Sequence, residues 1–313
     1  MNDLKSKNWI AASWNQVNPG KQVILGIESV AFKAQSALQE VIVANVPVFG
    51  RGLFLDGNVQ LLQMDEYIYH EHVAVVPLLF HPAPRRALIL GGGDGLVLRE
   101  VLRDSRVEHV TLVDIDALVL QACRTHLGAL HRGSFDDPRA NIVVDDARQF
   151  LAAKHSPFDI VIVDLVDPYG EEGRALYREV IGLVKGVLAP GAIVSSHGSS
   201  ADPPGYVVLE VYALLRQYFA HLALHRAYIP SFAEEWGFLL ASDAVDFEQV
   251  TSTDLQERAR RLSGPLRSII PEQYPLAFRL PPALAEAQRQ RQARPPDEVA
   301  ADEPEFRWIY QDG

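Results

Sequence analysis

From Arg86 onward, short apolar runs alternate with helical patterns, and this alternation restricts the possible folds more than any other feature of the chain. Ala87–Leu90 is a brief apolar run that ends in Gly91, Gly92, Gly93 and Asp94. A helical stretch follows over 96–102, then strand 109–113, helix 117–127, strand 141–144, helix 146–153 and strand 158–163. A long loop, a helix over 174–187 and a strand over 192–196 complete the series. Strands separated by helices pair in parallel, so the expected class is α/β, a Rossmann-like, methyltransferase-like doubly wound parallel sheet. Upstream, Val41, Val43, Val46 and Val48 read as strand, and Gly50, Gly52, Asp56 and Gly57 punctuate turns. A small N-terminal antiparallel β domain is expected there. A helix should start near Asp65, with Asp65 and Glu66 at the positive end of its dipole. The polar segment 286–303, with its Pro pair, reads as a frayed helix followed by a linker or disordered stretch. The expected parts are an N-terminal β-sheet domain over 1–76, a Rossmann-like catalytic domain over 77–290, and a C-terminal linker and tail over 291–313.

Length and charge bound the function. A chain of 313 residues can bury a sizeable core. We find no run of about 18 apolar residues, so no transmembrane helix is expected. Met1 to Ile10 lacks the apolar region of a secretory signal, which makes a cytoplasmic location the default expectation. A net charge of -11 argues against general nucleic-acid binding. It suits a cationic substrate, because carboxylates lining a cleft concentrate cations, although the same charge also serves solubility. The lone cysteine, Cys123, excludes an intrachain disulfide and a multi-cysteine metal site, and its helical setting suggests a small buried hydrophobe.

Doubly wound sheets bind ligands beyond the carboxyl ends of their strands, and the unusual residues of this sequence cluster there. The Gly91–Gly95 turn allows close approach of backbone to a ligand. Asp94 in that turn disfavours a phosphate-bearing cofactor such as NAD and favours an amine or a sulfonium. Asp114 ends the second strand about 20 residues further on, the spacing of an acid that holds ribose hydroxyls. Asp116 reads as a helix N-cap. Asp145 and Asp146 end the third strand and are placed to reach an adenine amino group, with Asp146 equally readable as an N-cap. Asp164 and Asp167 end the fourth, in a loop that Pro168 and Gly170 keep from becoming helix. That pair suits an amine cation or a metal, or is a solvated acidic turn; no His or Cys cluster lies beside it.

The motifs FLDGNVQLLQMDEYIYHE (54–71), LILGGGDG (88–95), VDID (113–116), DDA (145–147) and DLVDP (164–168) together resemble the spermidine/spermine synthase family, the polyamine aminopropyltransferases. The resemblance runs from about Gln39 to Asp243. DEYIYHE (65–71), DLVDP, IPSFAEEWGF (229–238) and the C-terminal EFRWIY (305–310) look most like the thermospermine synthase branch. Asp94 departs from the Glu usual in plant members of that branch.

The resemblance implies roles residue by residue. Gln39, His70, Asp94, Asp114, Asp145 and Asp146, with Gly91 and Gly93 of the turn, would hold decarboxylated S-adenosylmethionine as co-substrate. Asp94 would take its aminopropyl ammonium, Asp114 its ribose, and the acid pair its adenine side. Tyr69, Asp164 and Asp167 would hold the acceptor amine, and Glu210, Phe232 and Trp236 would line its channel. Asp164 is the candidate catalytic base. No metal and no permanently bound cofactor are expected, since a sulfonium is already activated. Spermidine is the expected acceptor, because Glu234, Glu235, Phe232 and Trp236 offer acids and aromatics, and Glu171 and Glu172 add charge in the loop 169–173. Putrescine as acceptor, a methyltransferase using S-adenosylmethionine, and a non-catalytic ligand-binding relative are the alternatives. A homodimer or homotetramer is the implied assembly, with neither nucleic acid nor membrane as partner.

Overall fold

The computed structural model describes residues 8–12, 23–168, 170–203 and 205–292. The chain begins with a two-stranded sheet of β1 (Asn8–Ala12) and β2 (Val23–Ile27). A four-stranded antiparallel sheet follows, built from β3 (Ser29–Gln35), β4 (Glu40–Val46), β5 (Gly50–Leu55) and β6 (Asn58–Leu62) in sequential order. Asp56 and Gly57 join β5 to β6 with φ of 47° and 77°, the two left-handed positions that a tight hairpin turn matched to strand twist requires.

The chain then enters α1 (Glu66–His70), a π-helical turn over Glu71–Val75, and α2 (Val76–Phe80). Asp65 stands at the N-cap of α1 with Glu66 in its first turn, the positive end where both were expected. The Asp65 side chain makes no cap bond; its Oδ2 accepts the amide of Ser231 at 2.6 Å, tying the helix start to a distant loop. The alternating series comes next: β7 (Arg86–Gly91), α3 (Leu96–Leu102), β8 (His109–Asp114), α4 (Ala117–His126), α5 (Gly128–His131), β9 (Ala140–Val144), α6 (Ala147–Ala152), β10 (Phe158–Asp164), α7 (Gly170–Val184) and β11 (Leu188–Ser200). Helix α8 (Val208–Leu215), an antiparallel hairpin of β12 (His221–Ile229) and β13 (Glu234–Ser242), and helices α9 (Ser252–Ala259), α10 (Tyr274–Ala277) and α11 (Pro282–Gln292) complete it.

The large sheet has strand order β12-β13-β11-β10-β7-β8-β9. Strands β7 to β11 are parallel, and the β12–β13 hairpin adds an antiparallel edge through β13 on β11. Strand order reverses beside β7, which has β8 on one side and β10 on the other. The crevice of the fold must therefore open where Gly91 faces Asp164 across the sheet.

Side chains of period two feed two cores. Ala87, Ile89, Ile160 and Ile162 face α2, α3 and α9, whereas Leu88, Leu90, Val161 and Val163 face α7 and α8. A third cluster joins Val41, Val43, Leu53 and Leu61 of the N-terminal sheet to Val119, Ala122 and Cys123 of α4, fixing that sheet over the crevice. Cys123 is fully buried there, and burial pushes its thiol well up, which leaves it a small hydrophobe.

Helix α7 begins at Gly170, four residues earlier than the periodicity suggested, so Glu171 and Glu172 lie in its exposed first turn, where its dipole favours them. Strand β11 extends beyond the expected 192–196 at both ends. The end of the polar segment beyond Gln292, and the motif 305–310, lie outside the described residues.

Candidate active site

A cleft of about 670 Å³ lies over the carboxyl ends of β7, β8, β9 and β10, walled on one side by the β5–β6 hairpin. Gln39, Tyr69, His70, Gly91, Gly93, Asp94, Asp114, Asp145, Asp146, Asp164, Asp167, Phe232 and Trp236 all line it. The structure thus brings together every residue to which the resemblance gives a donor or acceptor role except Glu210. That glutamate, on α8, meets Arg291 at 3.2 Å and Arg174 at 3.7 Å, so it braces α8 against α11 and α7 and does not line the cleft. Glu171, Glu172, Glu234 and Glu235 are likewise absent from the lining; Glu234 is fully buried, and Glu235 pairs with Arg226 at 2.6 Å across the β12–β13 hairpin.

The glycine turn is shaped by what stands next to it. Gly91 has φ of 85°, and a Cβ there would lie 2.0 Å from the backbone oxygen of Asp164. A Cβ on Gly93 would lie 2.5 Å from Asp114 Oδ2, the same oxygen that accepts the Gly93 amide at 2.9 Å. The other Asp114 oxygen accepts the amide of Asp116 at 2.9 Å. Burial raises the Asp114 carboxyl to about 6 against these two amides, with Asp116 and Asp94 adding to the rise. Asp116 caps α4 through the Leu118 amide, and its second oxygen accepts from Ser36 at 2.7 Å and from Gln39 at 3.1 Å. One carboxylate therefore positions Gln39, which arrives from the other sheet. Asp145 Oδ1 accepts the Asp146 amide, and Asp146 is the N-cap of α6 as well as the partner of Arg148 at 2.5 Å. Arg148 holds the Asp146 carboxyl below its ordinary range.

Asp94 faces a buried cation. His70 Nε2 lies 3.7 Å from Asp94 Oδ2, and His70 Nδ1 lies 3.1 Å from Glu66 Oε2 and 2.6 Å from the Glu66 carbonyl. Burial opposes the charge, but the two carboxylates more than offset it and raise His70 to about 10. Behind it Arg99 grips Glu66 with two bonds of 3.0 and 2.8 Å and continues to Glu100 at 2.9 Å. His70 therefore enters the cleft as an imidazolium that faces Asp94.

Asp164 stands between the glycine turn and Tyr69. Its Oδ2 lies 3.1 Å from where a Gly92 Cβ would be, and its Oδ1 accepts the hydroxyl of Tyr69. Burial raises its pKa, and Asp94 adds to the rise, against the opposing effects of His197, Tyr69 and His70. Asp167 is also raised by burial, with Glu234 and Asp164 contributing. Such carboxylates accept a proton more readily than ordinary surface acids. Phe232 and Trp236 are buried and pack edge to face at 5.0 Å, closing the far end. His197 also lines this end, although nothing in the reading of the motifs pointed to it.

The arrangement is one acid-lined cleft that runs from the glycine turn to Phe232 and Trp236 and includes Asp164. Its carboxylates suit a nucleoside that carries a cationic side arm together with an amine. The spermine/spermidine synthase domain model matches residues 66–251, and the spermidine synthase tetramerisation domain model matches residues 9–63. A polyamine aminopropyltransferase of Aeropyrum pernix is 40% identical over 237 residues, covering 74% of both chains. Polyamine aminopropyltransferase 2 of Pseudomonas aeruginosa is 37% identical, covering 80% of this chain and 72% of its own. A spermidine synthase solved with the transition-state analogue AdoDATO superposes with a TM-score of 0.83 at 26% identity, covering 91% of this chain and 96% of that one. The spermidine synthase of Thermotoga maritima gives 0.80 at 25%, covering 91% and 95%. The chain belongs to the spermine/spermidine synthase family, the polyamine aminopropyltransferases.

Proposed function

We propose that the protein transfers the aminopropyl group of decarboxylated S-adenosylmethionine to spermidine, giving thermospermine or spermine and methylthioadenosine. The observation that carries this reading is Asp164, placed between the glycine turn and the aromatic end and hydrogen-bonded by Tyr69. In the donor compartment Asp94 takes the aminopropyl ammonium and Asp114 the ribose. Gln39, His70, Gly91, Gly93, Asp145 and Asp146 complete its walls. In the acceptor compartment Tyr69, Asp164, Asp167, Phe232 and Trp236 receive the amine.

An alkylamine has a pKa near that of Lys, about 10.4, so roughly one molecule in a thousand is neutral at pH 7. Asp164 accepts the proton of the attacking nitrogen. The N–C bond forms at the methylene next to sulfur, the C–S bond breaks, and its electron pair neutralises the sulfonium. Alignment of nitrogen, carbon and sulfur supplies much of the remaining acceleration. Spermidine is favoured over putrescine because its added ammonium meets Asp167, with Glu234 close enough to raise that carboxyl, and two aromatic faces worth about 0.5–2 kcal/mol each to a cation. The chain is proposed to work as a homodimer or homotetramer. The test is kcat/KM for spermidine and putrescine at one donor concentration, with products separated by chromatography. Spermidine should give the higher value; a tenfold preference for putrescine would overturn the choice of acceptor.

A further inference from the structure

Among the described residues His197 is the one imidazole beside Phe232 and Trp236 in the cleft lining, and its surroundings define what it can bind. Strand β11 pairs regularly with β13 up to His197, opposite Phe238, and then slips register before Ser200. Ser199 sits in the left-handed region, with φ of 62°, to make that bulge. The bulge turns His197 into the cleft, 3% exposed. Its ring is clamped by Trp236, stacked at 6.2 Å and 19°, and by Tyr177, which meets it edge-on.

The clamp also selects a tautomer. His197 Nε2 lies 2.8 Å from the carbonyl oxygen of Leu165, which can only accept, so Nε2 carries the proton. The Tyr177 hydroxyl lies 3.0 Å from the same nitrogen. In the neutral ring the lone pair is then on Nδ1. That atom is buried, none of the described residues hydrogen-bonds it, and it faces Asp167 Oδ1 at 3.7 Å. A buried acceptor is ordinarily satisfied, and this one points at the place proposed for a cation.

The 3.7 Å gap has a particular fit. A nitrogen about 2.9 Å from each atom would span it with an angle of roughly 80° at the nitrogen, so each N–H bends by only about 15° from tetrahedral spread. A dialkylammonium has two N–H donors, one for the carboxylate and one for the imidazole, and leaves none unmatched. We propose that His197 Nδ1 and Asp167 together form a subsite for the internal secondary ammonium of the acceptor, making His197 a specificity-determining residue for polyamines over simple diamines. This rests on the aminopropyl-transfer reading above.

The test uses steady-state kinetics of the full chain with decarboxylated S-adenosylmethionine, comparing wild type, His197→Phe and His197→Gln. Phe keeps the stack and removes the acceptor. Gln spaces its amide nitrogen and oxygen much as the ring spaces its two nitrogens, so it can donate to Leu165 and still accept from the amine. His197→Phe should raise KM for spermidine by about 10- to 100-fold, the scale of one hydrogen bond to a charged group, with kcat and the donor KM within about threefold. His197→Gln should restore KM to within about threefold of wild type. A fall in kcat with unchanged spermidine KM, or a Gln variant as impaired as Phe, would overturn the subsite.

Should the Phe variant not fold, the wild-type protein labelled with 15N-histidine decides. The His197 Nδ1 resonance must move when spermidine is added with methylthioadenosine present and stay in place when putrescine is added; an equal response to both refutes the proposal. If wild type itself releases no methylthioadenosine, the transfer reading has failed. The labelled spectrum still reports on the subsite in that case.

Discussion

Glu66 is the buried hinge of the charge chain behind Asp94, and neutralising it should weaken the fold by a definite amount. Its side chain is 3% exposed, with Arg99 at 8% and His70 at 2%. Glu66→Gln keeps the shape but leaves the Arg99 guanidinium and the His70 imidazolium without their shared anion. Burial alone would push the Glu66 carboxyl up, yet His70 and Arg99 bring it from 4.5 down to about 2. That depression, at about 1.36 kcal/mol for each tenfold change in proton affinity, is about 3 kcal/mol, at the lower end of the roughly 3–5 kcal/mol seen when one partner of a buried pair is removed.

The sign of the pH dependence follows from both partners. The depressed Glu66 pKa contributes stability that is present above 4.5 and is lost as pH falls toward about 2. The raised His70 pKa contributes stability that is present below 6.5 and is lost as pH rises through about 10. The gap between wild type and Glu66→Gln should therefore be widest between 4.5 and 6.5. Urea unfolding at one fixed protein concentration, run near pH 5.5 and near pH 9, measures it. A loss below about 1 kcal/mol at the lower pH, or a gap that does not narrow at the higher one, would refute the charge chain as described.

Three further outcomes are expected. Asp164→Asn removes the proposed proton acceptor and should lower kcat by about 10² or more with little change in donor affinity, so near-normal turnover at saturating amine would contradict its role as base. Gly93→Ala places a Cβ 2.5 Å from Asp114 Oδ2 and should weaken methylthioadenosine binding about tenfold or more by calorimetry; unchanged affinity would show that Asp114 does not hold the nucleoside. Burial lowers His72 to about 4, so only the unfolded chain gains its proton as pH falls below 6.5, and stability should drop by about 3 kcal/mol on its account by pH 4. His72→Phe should flatten that slope in pH-dependent unfolding, and an unaltered slope would assign the acid lability elsewhere.

The strand-end acids were legible because a βαβ series fixes where the crevice opens and places Asp94, Asp114, Asp145 and Asp164 there by chain order alone. Gln39 is different. It reaches the cleft from a turn of the other sheet, held by Asp116, and no periodicity within its own segment reveals that. Arg99 and Glu100 in the helix after the glycine turn look like the polar positions of an amphipathic helix, but Glu66 and His70 bury them in a charge chain that only tertiary contact defines. The acids of 171–172 were misplaced because Gly170 starts a helix instead of prolonging a loop. The antiparallel edge of β12 and β13 was not foreseen. His197 directly follows 192–196, the same strand-end position that the acids occupy on the other strands, so chain order marks it as well.

The central claim is transfer of an aminopropyl group, and the most direct measurement follows the fate of the donor. The protein is incubated with spermidine and either decarboxylated or intact S-adenosylmethionine, and nucleoside products are separated by chromatography. Methylthioadenosine should form with the decarboxylated donor, one molecule for each aminopropyl group added to the amine, and the intact donor should be left unused, because in the proposed binding mode its carboxylate would meet Asp94. S-adenosylhomocysteine formed from the intact donor, or no methylthioadenosine from the decarboxylated one with any polyamine, would contradict the account.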